Sequence, residues 1–241
     1  MVRPMRGPVA LVGSGEFLDV MRPIDEQLLE GRPKRAAYLP TAAGPEGMER
    51  VRYWLDLAET HFQSMGVEPI PVPVVDRKDA DRADLASLVD GAGLVYLSGG
   101  DPAYLASTLR ASAVWQAILQ AFGQGAALAG CSAGACALTG AVGSLRRLNQ
   151  QIAKGLGVVP QLAVIPHFDR FSTWDPDIVE RMITRTPKNL HIVGIDERTA
   201  LVGGPKTFEV KGDGAVWHIR RDATRERYVA NDTVSFELEE S

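Results

Sequence analysis

The segment Ala126-Ala127-Leu128-Ala129-Gly130-Cys131-Ser132-Ala133-Gly134-Ala135-Cys136-Ala137-Leu138 runs from a short apolar stretch, through a serine between two glycines, into small residues with good helix formers. That order reads strand, sharp turn, helix. A Gly-x-Ser-x-Gly turn is so tight that a side chain at Gly130 or Gly134 would collide with the neighbouring strand or helix. Ser132, at the apex, projects its hydroxyl clear of the sheet edge. Because a helix begins at once, the backbone N–H groups after Ser132 lack intrahelical partners and the positive end of the helix dipole points at the same spot. An oxyanion could be held there. Small-residue runs also occur wherever a helix packs closely on a sheet, so the pattern alone leaves a catalytic and a packing reading open.

The flanking chain decides between them. Upstream, Pro8-Val9-Ala10-Leu11-Val12 reads as a buried first strand entering the turn Gly13-Ser14-Gly15-Glu16. A dinucleotide fingerprint is rejected, since the third glycine is absent, and the glycines instead let this loop lie close to a cleft. Met21 to Glu30 reads as a helix, Arg35 to Leu39 as a strand, and Glu46 to Met65 as a long amphipathic helix with Met48, Val51, Leu55, Ala58 and Phe62 on its apolar stripe. His61, beside that stripe, reads as a surface histidine. Val67 to Val75 carries prolines 69, 71 and 73, which place it at a sheet edge. After a helix over Ala80 to Leu88, Gly93 to Leu97 is apolar on both faces, as strands of covered parallel sheets are. It ends in Ser98-Gly99-Gly100-Asp101-Pro102, where consecutive glycines leave bare amides at the carboxyl end of a strand. Helices follow over Tyr104 to Leu109 and Trp115 to Phe122.

Downstream, Leu145 to Lys154 is polar and gives no clear element. Leu156 to Pro166 brings an apolar strand to His167-Phe168-Asp169-Arg170, Asp175 to Met182 reads as a helix, and Asn189 to Ile195 is a strand running directly into Asp196-Glu197-Arg198-Thr199. From Ala200 on the helical signal disappears. Thr207 to Val210, Ala215 to Ile219 and Val234 to Leu238 read as short strands, the first two joined by a glycine hairpin turn at Lys211-Gly212-Asp213-Gly214. The expected architecture is a single α/β domain over residues 1–241, a mostly parallel sheet flanked by helices with antiparallel strands at the C-terminal end.

At 45% hydrophobic, with 26 Lys and Arg against 30 Asp and Glu in no blocks, the chain has no electrostatic footprint for nucleic acid or an anionic membrane. The run Val9 to Val12 is too short for a signal peptide and no stretch approaches the roughly 20 apolar residues of a membrane span. The only cysteines, Cys131 and Cys136, suggest neither a metal site nor a disulfide framework, so a reduced, cytoplasmic protein without metal or cofactor is expected. The expected partner is a short peptide or other small molecule, with a homodimer as the candidate assembly.

Ser132, His167 and Glu197 now stand at three strand ends. A serine hydroxyl is a poor nucleophile at neutral pH and needs a base to take its proton and a carboxylate to hold that base in the right tautomer. Asp169, two residues after His167, and Asp196 compete for the acid's place, with Glu197 favoured. Cys131 precedes the apex and points into the fold. His191, in an apolar strand, and His218, beside Trp217, read as structural. The order Ser-His-acid differs from the Ser-acid-His order of α/β-hydrolases and resembles that of class I glutamine amidotransferase-like, flavodoxin-like three-layer folds. Gly130 to Ala135, Leu97 to Asp101, Pro166-His167-Phe168, Gly194 to Leu201 and Pro40-Thr41-Ala42-Ala43 together resemble the serine peptidase family of aspartyl dipeptidase (peptidase E) and cyanophycinase, over most of the chain.

The resemblance implies Ser132 as nucleophile, His167 as general base and then acid, Glu197 as the orienting acid, and an oxyanion hole from amides at Gly99 or Gly100 and at Ala133. Asp101 and Arg170 are the positions it offers for substrate contact. It implies a peptidase acting on short peptides, Asp-containing dipeptides among them. The alternatives are a cyanophycinase-like hydrolase of β-Asp-Arg peptides, disfavoured because the chain has Asp101 and only Arg170 where those enzymes carry Gln and an arginine-rich run, and a non-catalytic ligand-binding protein on the same fold.

Overall fold

The computed structural model describes residues 6–143, 152–174 and 177–237. Its strands are β1 (Val9–Val12), β2 (Arg35–Leu39), β3 (Glu68–Pro71), β4 (Leu94–Leu97), β5 (Ala127–Cys131), β6 (Ala141–Val142), β7 (Ala153–Lys154), β8 (Leu162–Ile165), β9 (His191–Ile195), β10 (Thr199–Gly203), β11 (Thr207–Gly212), β12 (Ala215–Ile219), β13 (Arg225–Val229) and β14 (Thr233–Ser235). The large sheet has the order β14-β11-β10-β1-β5-β4-β2-β3. It is parallel across β1, β5, β4, β2 and β3 and antiparallel from β1 through β10 and β11 to β14. β5 sits centrally, so Val12 of β1 and Leu97 of β4 lie beside Cys131 and Gly130. The loops leaving β1 and β4 therefore flank the turn at Ser132.

Alternation along the strands explains why they are apolar on both faces. Val9, Leu11, Ala37, Leu39, Val95, Leu97 and Leu128 pack with the helices Pro102–Leu109, Ala113–Gly123 and Ala133–Leu138. Ala10, Val12, Ala36, Tyr38, Leu94, Tyr96 and Ala129 pack on the opposite face with Arg22–Leu29 and Met48–Ser64. Each fully buried side chain of Leu or Phe size contributes roughly 1.5–3 kcal/mol, which makes these two layers the main stabilising term.

Three expectations change. The first is that His167 and Glu197 do not follow strands of the sheet that carries Ser132. β8 and β9 are parallel neighbours in a second, four-stranded sheet of order β13-β12-β9-β8. The second is that Thr207–Gly212 and Ala215–Ile219 form no hairpin, because β11 pairs with β10 in the large sheet and β12 pairs with β9 and β13 in the small one. Gly212, at φ +103°, lies so close to Arg198 that an added Cβ would meet its carbonyl oxygen at 2.1 Å, and here the chain crosses from one sheet to the other. The third is His61, which is 5% exposed and bonds through Nε2 to Asp25 Oδ2 at 2.8 Å, whereas Met48 on the expected apolar stripe is 49% exposed.

The edge position of β3 follows its prolines. Ala80 to Leu88 divides into helices Arg77–Ala80 and Ala83–Ser87. A helix at Phe168–Trp174 stands where a loop was expected, and the next is Ile178–Arg185. Asp175, Pro176, Leu238 and most of the Leu145–Lys154 stretch lie outside the described residues. Among the described residues no helix is long and apolar enough to cross a membrane.

Candidate active site

The turn between β5 and the helix Ala133–Leu138 places Ser132 at φ 50°, ψ −105°, a conformation a non-glycine residue seldom holds without support. The support is local. Ser132 N–H donates to Val12 O at 2.9 Å and its carbonyl accepts from Cys136 N at 3.1 Å. A Cβ on Gly130 would lie 2.5 Å from the backbone of Gly134, and one on Gly134 would lie 2.1 Å from Leu97 O, so neither position admits a side chain.

His167 follows β8 directly, also at positive φ (49°), and its carbonyl accepts from Arg170 and Phe171 as the next helix begins. Its Nε2 lies 2.9 Å from Ser132 Oγ, and its Nδ1 lies 3.0 Å from Glu197 Oε1. Glu197 can only accept through an ionised carboxylate, so Nδ1 carries the ring proton and Nε2 is left to accept from the serine hydroxyl. The hydrogen bond from His167, assisted by Arg170, holds the Glu197 carboxyl below the usual carboxylate range against the opposing effect of partial burial. His167 and Glu197 lie within hydrogen-bond reach of each other, so their spacing lends the non-catalytic reading no support.

The competing acids serve Glu197 or the fold. Asp169 Oδ1 accepts from the Glu197 N–H at 2.9 Å. Asp196 accepts from Ala215 N and Trp217 Nε1, each at 3.0 Å, and burial raises its carboxyl pKa. Arg170 donates Nε to Glu197 Oε2 at 3.2 Å. Asp101 is turned to its own helix, where Oδ1 accepts from Ala103 and Tyr104 N–H as the N-cap. Gly99 lends its amide to Glu16 Oε1 at 3.0 Å, whereas the Gly100 amide meets no acceptor among the described residues.

His191 and His218 pack on each other and on Phe236, away from this centre. Cys131 is fully buried, with its thiol donating to Glu16 Oε2 at 2.6 Å, and burial together with that carboxylate pushes its pKa well up.

Ser132 and His167 line a cleft of ≈ 330 Å³ whose walls also include Glu16, Gly100, Arg50, Tyr53 and Trp54. The Arg50 guanidinium stands 4.7 Å over the Tyr53 ring and 4.8 Å over that of Trp54, and lies 3.7 Å from Glu46. Sequence reading missed this wall, because Arg50 and Tyr53 look there like the solvated side of an amphipathic helix and Trp54 like a residue that widens its apolar stripe. It also left Glu16 without a role, although a glutamate closing a glycine turn at a strand end was a visible signal.

A crystal structure of a peptidase from an acI-B1 actinobacterium matches with a TM-score of 0.88 at 36% identity, over 97% of this chain and 98% of that one. A Listeria monocytogenes EGD-e structure described as a peptidase E protein shares the fold, with a TM-score of 0.64 at 16% identity over 87% of this chain and 100% of that one. Cyanophycinases of Synechococcus elongatus and Thermosynechococcus vestitus are each 28% identical over 229 residues, 88% of this chain and 67% of theirs. Residues 9–210 match peptidase family S51, and the chain belongs to that family of serine peptidases.

Proposed function

We propose that this peptidase hydrolyses short peptides through an acyl-enzyme, with Ser132 as nucleophile, His167 as general base and Glu197 as its orienting acid. The observation that carries the reading is the unbroken relay from Ser132 Oγ through His167 Nε2 and Nδ1 to Glu197 Oε1. Ser132 gives its proton to Nε2 as it attacks the scissile carbonyl carbon. The carbonyl oxygen becomes an oxyanion facing the amides of Gly100 and Ala133, the second of which opens a helix and has no intrahelical acceptor. Collapse breaks the C–N bond as imidazolium returns the proton to the leaving amine. Water then repeats the sequence on the acyl-enzyme, with His167 again as base, and frees Ser132.

The substrate is small because the cleft, at ≈ 330 Å³, stands at the lower end of the roughly 300–1,000 Å³ usual for ligand pockets. Arg50 on its wall supports a substrate carboxylate, either an acidic side chain or the free C-terminus of a dipeptide. The likeness to cyanophycinases supports a second reading, cleavage of β-Asp-Arg peptides, in which Glu46 beside Arg50 would take a guanidinium.

A dipeptide library that includes Asp-Xaa, Asn-Xaa and β-Asp-Arg members, assayed on wild type and Ser132→Ala, tests the assignment. The expected result is cleavage of carboxylate-bearing dipeptides, lowered roughly a million-fold by Ser132→Ala with the fold intact. Cleavage of β-Asp-Arg alone would move the substrate to the second reading. Wild-type protein that cleaves nothing and takes up no fluorophosphonate at Ser132 would overturn both.

A further inference from the structure

We infer that Glu16 is a positioning residue that sets the oxyanion hole, leaving Gly100, and not Gly99, as the donor contributed by the glycine loop. The inference rests on the peptidase reading above and adds to it a residue and a choice between two amides.

The argument begins with strand order. β1 and β4 lie on either side of β5, so the loop that leaves β1 can reach across the end of β5 to the loop that leaves β4. Glu16 makes that reach. It is 5% exposed, and its two carboxylate oxygens are divided between the neighbours of Ser132: Oε1 takes the Gly99 N–H at 3.0 Å, and Oε2 takes the Cys131 thiol at 2.6 Å. One side chain thus ties the residue before the proposed nucleophile to the loop facing it. Phe17, the next residue, is buried at 5% exposure with its ring 4.9 Å from Tyr96 and 5.6 Å from Phe62, which fixes the chain beside Glu16.

The glycine loop shows what this clamp accomplishes. Ser98 N–H donates to Leu39 O at 3.1 Å and Asp101 N–H to Ala42 O at 2.8 Å. With Gly99 N–H held by Glu16, the amide left over is that of Gly100, which meets no acceptor among the described residues. The two glycines are confined differently. A Cβ on Gly99 would lie 3.1 Å from Glu16 Oε1 and 3.6 Å from Ser132 Cβ, so the carboxylate and the serine share one side of it. Gly100 has φ +142°, a conformation side chains rarely adopt, and its Cβ would strike Ala42 O at 2.3 Å. Without the carboxylate, the Ser98–Gly99 peptide loses the acceptor that fixes its N–H, and the Gly100 N–H, one Cα further along the loop, loses that constraint on its direction. Preorganised direction is what makes an oxyanion donor effective.

The test compares wild type with Glu16→Ala and Glu16→Gln on the fastest-cleaved dipeptide of the library. Glu16→Ala is expected to lower kcat by about 10²–10³-fold, the size of one lost oxyanion donor, with KM changed only a few-fold. Glu16→Gln keeps an oxygen for Gly99 and is expected to retain kcat within about tenfold. Phenylboronic acid, whose serine adduct carries the oxyanion, should lose affinity in Glu16→Ala by the same factor as kcat. Binding of the uncleaved dipeptide, measured with Ser132→Ala present in both proteins, should not change. Should Glu16→Ala fail to fold, Glu16→Asp, too short to span both partners, takes its place with the same expectation. Wild-type kcat and boronate affinity in Glu16→Ala, or equal losses of boronate and dipeptide binding, would overturn the inference and leave the peptidase reading standing. An inactive wild type that binds no boronate would overturn the peptidase reading itself.

Discussion

Glu197 is the acidic member of the proposed triad by contact and by charge. His167 and Arg170 both donate to it, and both favour its ionised form. A carboxyl whose pKa lies lower in the folded than in the unfolded chain stabilises the fold above its unfolded value and loses that contribution as the pH falls through the folded one. Wild type should therefore lose stability relative to Glu197→Gln as the pH is lowered past about 4.5, the ordinary glutamate value, in denaturant titrations at several pH values. The same variant can present an amide N–H to the imidazole, which favours the wrong tautomer, and its kcat should drop by about 10⁴-fold. A drop of only a few-fold would move the acid's role to another group. The cysteines give the opposite expectation. Burial pushes the Cys136 thiol up to about 12 and the Cys131 thiol well above its ordinary value, so neither offers a thiolate at neutral pH. Iodoacetamide should label neither in the folded protein and both after denaturation, and inhibition by native-state alkylation would contradict this.

Rigid junctions between strands and helices bring these groups together, and the elbow is the tightest. An alanine at Gly134 would press a methyl into Leu97 O at 2.1 Å, and since that atom is backbone, the helix Ala133–Leu138 must shift away from β4 to admit it. Gly134→Ala should cost at least about 1–3 kcal/mol and lower kcat, because the Gly99–Gly100 loop leaves from that same end of β4. Unfolding titrations and turnover together check this, and an unchanged protein would refute it. This junction was legible in the sequence because its cause is local: only glycine fits where a strand meets a helix at that angle. The partners of each strand were less legible. β8 and β9 carry the same short apolar runs as the strands of the large sheet, and nothing in Leu162–Ile165 or His191–Ile195 says that they pair with each other and with β12 instead. Gly212 and Gly214 look like a hairpin turn, yet Gly212 serves a close approach to Arg198 from another part of the chain.

The assembled molecule thus brings two sheets together, the loops of one supplying Ser132 and its amides, those of the other His167 and Glu197. Long-range contacts of this kind decide what single residues mean. His61 sits on a helix face that reads as solvated, but the helix Arg22–Leu29 covers it and pairs it with Asp25, the two side chains being 2% and 3% exposed. Burial raises the Asp25 carboxyl and the contact with His61 opposes that rise. Removing the imidazole leaves a buried carboxylate without its partner, and His61→Ala should cost about 3–5 kcal/mol. The pH dependence identifies the cause. With His61 gone, burial and the neighbouring Glu26 charge both push Asp25 upward, and a carboxyl raised above its unfolded value holds the fold best below that value and weakens it as the pH rises. His61→Ala should therefore fall further behind the double variant Asp25→Asn/His61→Ala as the pH climbs from about 4 to about 8, the reverse of the trend at Glu197. Denaturant titrations of both variants across that range measure it, and a constant difference would assign the loss to packing around Phe17 and Phe62 instead of to charge.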